Sequence, residues 1–548
     1  MSGLQDLWQL HAPILPVLLP SLTAIVLLLL GDQGEGGLRW SRRWSLASVV
    51  LGLALSVGLV GAAGAGEPIV YRLGEWPAPY GIVLVVDRLG AMMLLLTSLV
   101  ALPVLFYASG GWDAHGRHFH AIFQFQLMGL NGAFVTGDLF NLFVFFEVLL
   151  IASYVLAVHG QGARRLQVGL HYVVLNLVAS ALFLVGIALL YAKTGTLNLA
   201  DLALRIPLVA GPDAAIVQAA GLILLVVFGF KAALAPLSMW LPATYAAAAA
   251  PVAALFAIMT KVGVYAIVRV HGVAFGPDAG ASALAAQPFL LPLALLTSLV
   301  GVAGALAART LERLVAWLTV ASVGTVLVAF GLYATPAWSA GLYYLANSTL
   351  VVAGLFLLGE LVAAQRGDAA DRLVPASPVA QPVLLGLMML LAAASAAGLP
   401  PLPGFIGKVM LLQSAQGHGW QVAVFAVVLG VGFLTLVGLA RAGSVLFWHV
   451  EDGRPAAAPS GASPKLVGAT LGLLAVTVGM SVLAAPIQRY TEAAARQLQD
   501  REAYARAVLG PQGAATSTTR PYRFGGRAGG AAGAAPAAPA AGASEVAR

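Results

Sequence analysis

Apolar runs of about 20 residues recur from residue 13 to residue 485, and each is long enough to cross a bilayer as a helix. No other feature of this sequence restricts its fold as much. Inside lipid every backbone N–H and C=O has to be satisfied within the segment, so a succession of such runs folds as a bundle of helices. Composition agrees: 60% of the residues are hydrophobic and 9% are charged, whereas soluble domains carry roughly a quarter charged residues. The opening stretch, MSGLQDLWQLHAPILP, has no basic region of the kind that precedes a cleaved signal peptide, so the first run is expected to stay as a span.

The net charge of +7 does not indicate a nucleic-acid partner, because Arg and Lys are scattered over short loops and a tail and form no basic stripe. With no cysteine, the chain holds no disulfide, no thiolate nucleophile and no cysteine-ligated iron–sulfur cluster. We expect no metal site and no cofactor.

Polar and Gly/Pro punctuation divides the apolar runs into about fourteen spans, giving an all-α integral membrane protein. The fifth covers 139–158, the seventh 215–240, the eighth 251–271, the eleventh 340–363 and the twelfth 380–417. The twelfth cannot be one helix: Pro400, Pro401, Pro403 and Gly404 break it into two half-helices. The seventh carries a milder interruption at Pro236 and Pro242. The chain then divides into 1–118 with the first three spans, 119–271 with spans four to eight, and 288–447 with spans nine to thirteen. After these come 465–509, a last span followed by a polar helix (486–509) leaving the membrane, and a Gly/Ala/Pro-rich tail (510–548) expected to be disordered.

Loops after odd-numbered spans hold thirteen Arg and Lys against five after even-numbered ones. The positive-inside rule therefore puts the odd loops in the cytoplasm and both termini on the outer side of a bacterial inner membrane. Three basic residues belong to neither set: Lys231, Lys261 and Lys408 fall inside spans, in a chain with only five lysines. Among carboxylates, only Glu147 lies near the centre of a span.

A charge at the bilayer centre costs about 2.5–3.5 kcal/mol. Snorkelling explains little, since Lys231, Lys261 and Glu147 are about nine or more residues from either span end, on the order of 13 Å. It remains open for Lys408, whose depth depends on the broken helix. A structural ion pair between Glu147 and one lysine is a second alternative, but one glutamate cannot satisfy three lysines. The functional reading is a relay: burial disfavours a lysine's charge and a nearby carboxylate restores it, so such a site can take up and release a proton. Candidate links are His171, Asn176, Ser180, Ser238, Tyr245, Thr260, Tyr265, Tyr344 and Asn347, although a lone polar residue in a membrane helix more often pairs helices. Lys231 and Lys408 each adjoin a helix interruption, one in each half, which is the pattern of an ion site between inverted repeats.

Three segments carry a resemblance: NLFVFFEVLLIASYVLAVHG (141–160), FGFKAALAPLSMWLPATYAAAAAPVAALFAIMTKVGVYAIVRV (228–270) and GLPPLPGFIGKVMLL (398–412). They resemble the antiporter-like subunits shared by bacterial multisubunit cation/proton antiporters and respiratory complex I. FFEVLLIASYVL and YRLGEWPAPYGIVLVVDRLGAMM (71–93) look most like the D-type members of the Mrp, Mnh and Pha antiporters. The resemblance implies fourteen helices with two inverted five-helix repeats and discontinuous spans seven and twelve. It implies that Glu147 modulates Lys231, that Lys231 is the central proton carrier, that Lys261 links the halves and that Lys408 ends the relay.

It also implies that the chain works with other subunits of a hetero-oligomeric membrane complex, embedded in lipid, on H⁺ and either Na⁺ or K⁺, without covalent chemistry. Two departures stand out. Where many relatives carry a histidine in the eleventh span, this chain has Asn347 and Ser348, so the relay there would lean on water or Tyr344. Ala243 replaces an aspartate found after the WLP of span seven. Two other readings remain: a proton-pumping subunit of a complex I-like quinone oxidoreductase or membrane-bound hydrogenase, and a structural subunit with vestigial charges.

Overall fold

The computed structural model describes residues 11–31, 34–76, 81–449 and 461–517. Arg454 and residues 518–548 lie outside the described residues. Of the tail expected to be disordered over 510–548, residues 511–517 are helical, continuing the last helix beyond a kink at Gly510.

The first helices are α1 (Leu15–Leu30), α2 (Gly34–Gly64), α3 (Arg88–Ala108), α4 (Phe119–Val135), α5 (Leu139–Ala157), α6 (Ala163–Thr194) and the short α7 (Leu199–Arg205). The seventh span is α8 (Pro212–Ala232) followed by α9 (Trp240–Ala247), and the eighth is α10 (Ala250–Val273). Then come α11 (Gln287–Ala307), α12 (Leu311–Gly331) and α13 (Thr335–Ala363), and a second broken span, α14 (Pro382–Ala397) with α15 (Pro403–Ser414). Last are α16 (Gln421–Phe447), α17 (Pro464–Val482), α18 (Ala484–Gln499) and α19 (Arg501–Ser517).

Eleven of the described helical stretches are long and apolar enough to cross a membrane. The other three expected spans are built from shorter helices: α1, α4 and the α14/α15 pair. Local chemistry sets several starts. Asp87 accepts from Gly90 N at the head of α3 (2.8 Å), and Asp138 accepts from Phe140 N and Asn141 N at the head of α5 (both 2.9 Å), satisfying N–H groups that a helix start leaves free.

At the centre stands α10, every residue of which is buried, flanked by α12 and α13, which are nearly as enclosed. By contrast α2, α6, α16 and α17 turn most of their surface outward. An apolar outward face is what lipid requires.

The all-α architecture carries one small addition that the sequence reading did not include: β1 (Ile69–Arg72) and β2 (Val83–Val86) pair antiparallel, with Ile69 opposite Val86 and Arg72 opposite Val83. The Val-rich run 83–86 suits a buried strand, and Gly137 N donates to Val83 O (2.9 Å), fixing the hairpin to the end of α4. Three expectations need correction. The seventh span runs to Ala247 rather than 240, and its break lies at 233–239; Pro242 sits in the first turn of α9, where proline is tolerated. The polar segment after the last span does not lead away from the body. It forms α18 and α19, whose Thr491, Ala494, Ala495, Leu498, Tyr504 and Val508 are buried, and Arg501 donates to Ala203 O (3.2 Å) and Asp278 O (2.7 Å). Finally, Arg269 is not a loop charge but lies inside α10, 2% exposed.

Candidate functional site

The first broken span ends its α8 half at Ala232, and Ala233 then takes a left-handed conformation (φ 62). The chain passes a cis Ala235–Pro236 bond and a 3-10 turn at Leu237–Met239 before α9 begins. Groups freed by the break find side-chain partners. Ala235 N donates to Thr297 Oγ1 of α11 (2.9 Å), and Trp240 Nε1 donates to Phe230 O (3.1 Å). Glycine at 263 lets α10 lie directly on the break: a Cβ there would come within 2.4 Å of Ala232 N.

Lys231 is the penultimate residue of α8 and is 6% exposed. Its Nζ donates to Asn176 Oδ1 of α6 (3.0 Å) and lies 5.9 Å from the centre of the Phe146 ring. Ser180, four residues along α6 and so on the same face, donates to Glu147 Oε1 (2.5 Å). Lys231 and Glu147 thus meet adjacent turns of one helix through an amide and a hydroxyl. Among the described residues neither forms an ion pair, so the proposed structural Glu147–lysine bridge is not what holds these helices together.

Lys261 is fully buried on α10, and its Nζ donates to Thr260 Oγ1 (3.2 Å). Of the other candidates, Tyr245 OH donates to Phe256 O (2.8 Å), and Ser238 Oγ is buried without a protein partner. Tyr265 OH donates to Phe134 O (2.9 Å) and accepts from Arg269 Nε (3.2 Å), so it belongs with Arg269 rather than with the lysines. His171 is exposed on α6 and touches none of the buried charges.

The second break follows Gly398, also left-handed (φ 87), and includes a cis Pro400–Pro401 bond. Gly404 is required by packing: a Cβ there would fall 1.9 Å from Ser395 O. Lys408 on α15 reaches back across the break, donating to Ala397 O (2.6 Å) and Ala396 O (3.3 Å). These are carbonyls at the C-terminal, partly negative end of α14. Lys408, Tyr344, Asn347, Ser348, Ser322 and Thr325 line a cavity of about 30 Å³, room for a water molecule or two. Asn347 accepts from Ser395 Oγ (2.9 Å), while its Nδ2 is buried without a protein partner.

The sequence profile of the NADH:quinone oxidoreductase/Mrp antiporter transmembrane family matches residues 136–434, a stretch holding both broken spans, the half-buried Glu147 and the buried Lys231, Lys261 and Lys408. The chain belongs to this family. Among its relatives, a probable K(+)/H(+) antiporter D-type component of Rhizobium meliloti (strain 1021) is 40% identical over 525 residues, covering 90% of this chain and 96% of that protein. The corresponding D-type component of a Na(+)/H(+) antiporter of Bacillus subtilis (strain 168) is 35% identical over 499 residues, covering 90% and 99% respectively. In the solved structure of the Mrp complex from Dietzia sp. DQ12-45-1b, one chain superposes with a TM-score of 0.80 at 28% identity, over 91% of this chain and 99% of that one.

Two polar groups of this antiporter-family chain escape sequence reasoning. Arg269 makes a two-point ion pair with Asp87, Nη1 to Oδ2 at 2.5 Å and Nη2 to Oδ1 at 2.7 Å. Burial alone would raise the Asp87 carboxyl, but Arg269 holds it below the ordinary carboxylate range. Glu360, near the end of α13, accepts from Trp112 Nε1. In the sequence each residue shows only its place near a span end, which makes both look like interface charges.

Proposed function

We propose that this chain is the D-type, proton-translocating subunit of a multisubunit antiporter that exchanges Na⁺ or K⁺ for protons across a bacterial inner membrane. It acts with other membrane subunits, catalyses no covalent reaction and uses no prosthetic group. About fourteen spans in two inverted five-helix repeats put both termini on the periplasmic side, in keeping with the Arg and Lys distribution. One observation carries the reading: Lys231 sits at a helix break, bonded to the Asn176 amide, and Glu147 of α5 is bonded to Ser180, one helical turn along α6 from that amide.

That arrangement can switch. An ammonium in a low-dielectric site keeps its proton only while something offsets the desolvation cost, and the Asn176 carbonyl offsets part of it. The charge on Glu147 supplies the rest. Neutralising Glu147 favours release of the Lys231 proton, and restoring the charge favours uptake. Ser238, Tyr245, Thr260 and Lys261 support a path inward from the first break, and the polar cavity of Tyr344, Asn347 and Lys408 supports its continuation.

The test is to extract the chain from its native membrane in mild detergent, identify what co-purifies, and measure exchange in vesicles. Membrane-only partners and cation-dependent proton movement are expected. Co-purifying iron–sulfur proteins and no cation dependence would favour the redox-driven pump instead.

A further inference from the structure

Glu147 and the three buried lysines leave one question open: how protons reach the relay from the side whose loops carry Arg42, Arg164 and Arg309. Glu360 lies at that end of α13, thirteen residues beyond Asn347, or about 20 Å along a helix. Its Oε1 accepts from Trp112 Nε1, the Tyr107 hydroxyl also faces the carboxyl, and its Oε2 is buried with no donor within 3.5 Å. It forms no ion pair with any described residue, although Arg165 is close by.

Arg165 is committed elsewhere. Its Nε donates to Ala247 O, the last carbonyl of α9 (2.8 Å), its Nη1 donates to His159 O (3.3 Å), and its guanidinium lies 5.3 Å from the centre of the Trp112 ring. His159 Nε2 donates to Trp112 O (2.7 Å). Trp112 is therefore pinned by its ring and by its backbone, and it holds out one neutral donor to a carboxyl. A carboxylate kept only for structure would be expected on the arginine.

The position joins both halves. Phe356, one turn back along α13, meets the Tyr245 ring of α9 at 6.2 Å, and Tyr245 is bonded to α10, which carries Lys261. The same α13 presents Tyr344 and Asn347 to the Lys408 cavity. We infer that Glu360 is the proton-exchanging carboxyl at this mouth, with Trp112 as its positioning residue. The inference rests on the antiporter reading. The titratable or charged groups facing Glu360 are Tyr107 of α3, His115 beside Trp112, Arg165 of α6 and Glu312 of α12, with Arg164 and Asp371 next to Glu312.

The test uses the whole complex in sealed vesicles, with pH varied separately on each side. Glu360→Gln should assemble normally, slow exchange by roughly tenfold or more, and flatten its dependence on pH on the Arg-rich side alone. Glu360→Asp should restore part of the rate. If Glu360→Gln does not assemble, Trp112→Phe keeps the ring but removes the donor, and should shift the pH profile on that side. Wild-type rates and profiles in whichever variant assembles would overturn the assignment while leaving the antiporter reading intact. Absence of exchange in the wild-type complex would instead remove the reading on which it stands.

Discussion

The two broken spans are built alike and hold their lysines differently. Each first half-helix stops at a left-handed residue, Ala233 or Gly398, and each break contains an X–Pro cis bond. At the first, Lys231 belongs to the half-helix before the break and bonds to the side chain of another helix. At the second, Lys408 belongs to the half-helix after the break and bonds to backbone carbonyls of the half before it. A backbone cap offers a fixed partial charge, whereas a side-chain partner beside a carboxylate offers one that can change. On the antiporter reading proposed above, the first break would switch and the second would hold a proton at a set position.

Arginine substitution should separate the two most widely. An arginine does not release its proton, so Lys231→Arg is expected to lower exchange by roughly a hundredfold or more. Lys408→Arg can still donate to the Ala397 and Ala396 carbonyls, and should cost closer to tenfold. Equal losses in vesicle assays would break the comparison.

Next come the left-handed residues. A Cβ at Gly398 would lie 2.8 Å from Lys408 Cδ, and the conformation itself disfavours alanine by about 1–2 kcal/mol. Gly398→Ala should therefore lower the unfolding temperature of the purified complex and reduce exchange. Ala233→Gly should do the reverse for stability, relieving about 1–2 kcal/mol of backbone strain. The same sign for both would mean that the breaks are not equivalent in backbone.

The most local effect concerns the stitch between halves. Thr297→Val leaves Ala235 N without its acceptor, costing about 1–3 kcal/mol, and should loosen the first break while sparing the second. Hydrogen exchange at 233–239 and at 398–402 would show which segment responds.

The three buried lysines are legible in the sequence because their cost at mid-membrane admits few explanations, and the second break because three prolines and two glycines announce it. Of the two prolines that mark the first break, Pro236 lies inside it and Pro242 lies beyond it, in the first turn of α9. The start of the break is not legible, because its left-handed residue is an alanine, which carries no signal. The Asp87–Arg269 pair joins residues 182 positions apart, and such pairing leaves no trace in local composition. The hairpin is hidden because Val83–Val86 reads as the start of an apolar run. For α18, only the folded body decides that Thr491, Ala494 and Leu498 face inward.

The most direct test of the central claim is cation-dependent proton exchange by the complex carrying Lys231→Ala, with assembly checked by co-purification of its partners. The account predicts an intact complex with exchange abolished. An intact complex exchanging at the wild-type rate would contradict it.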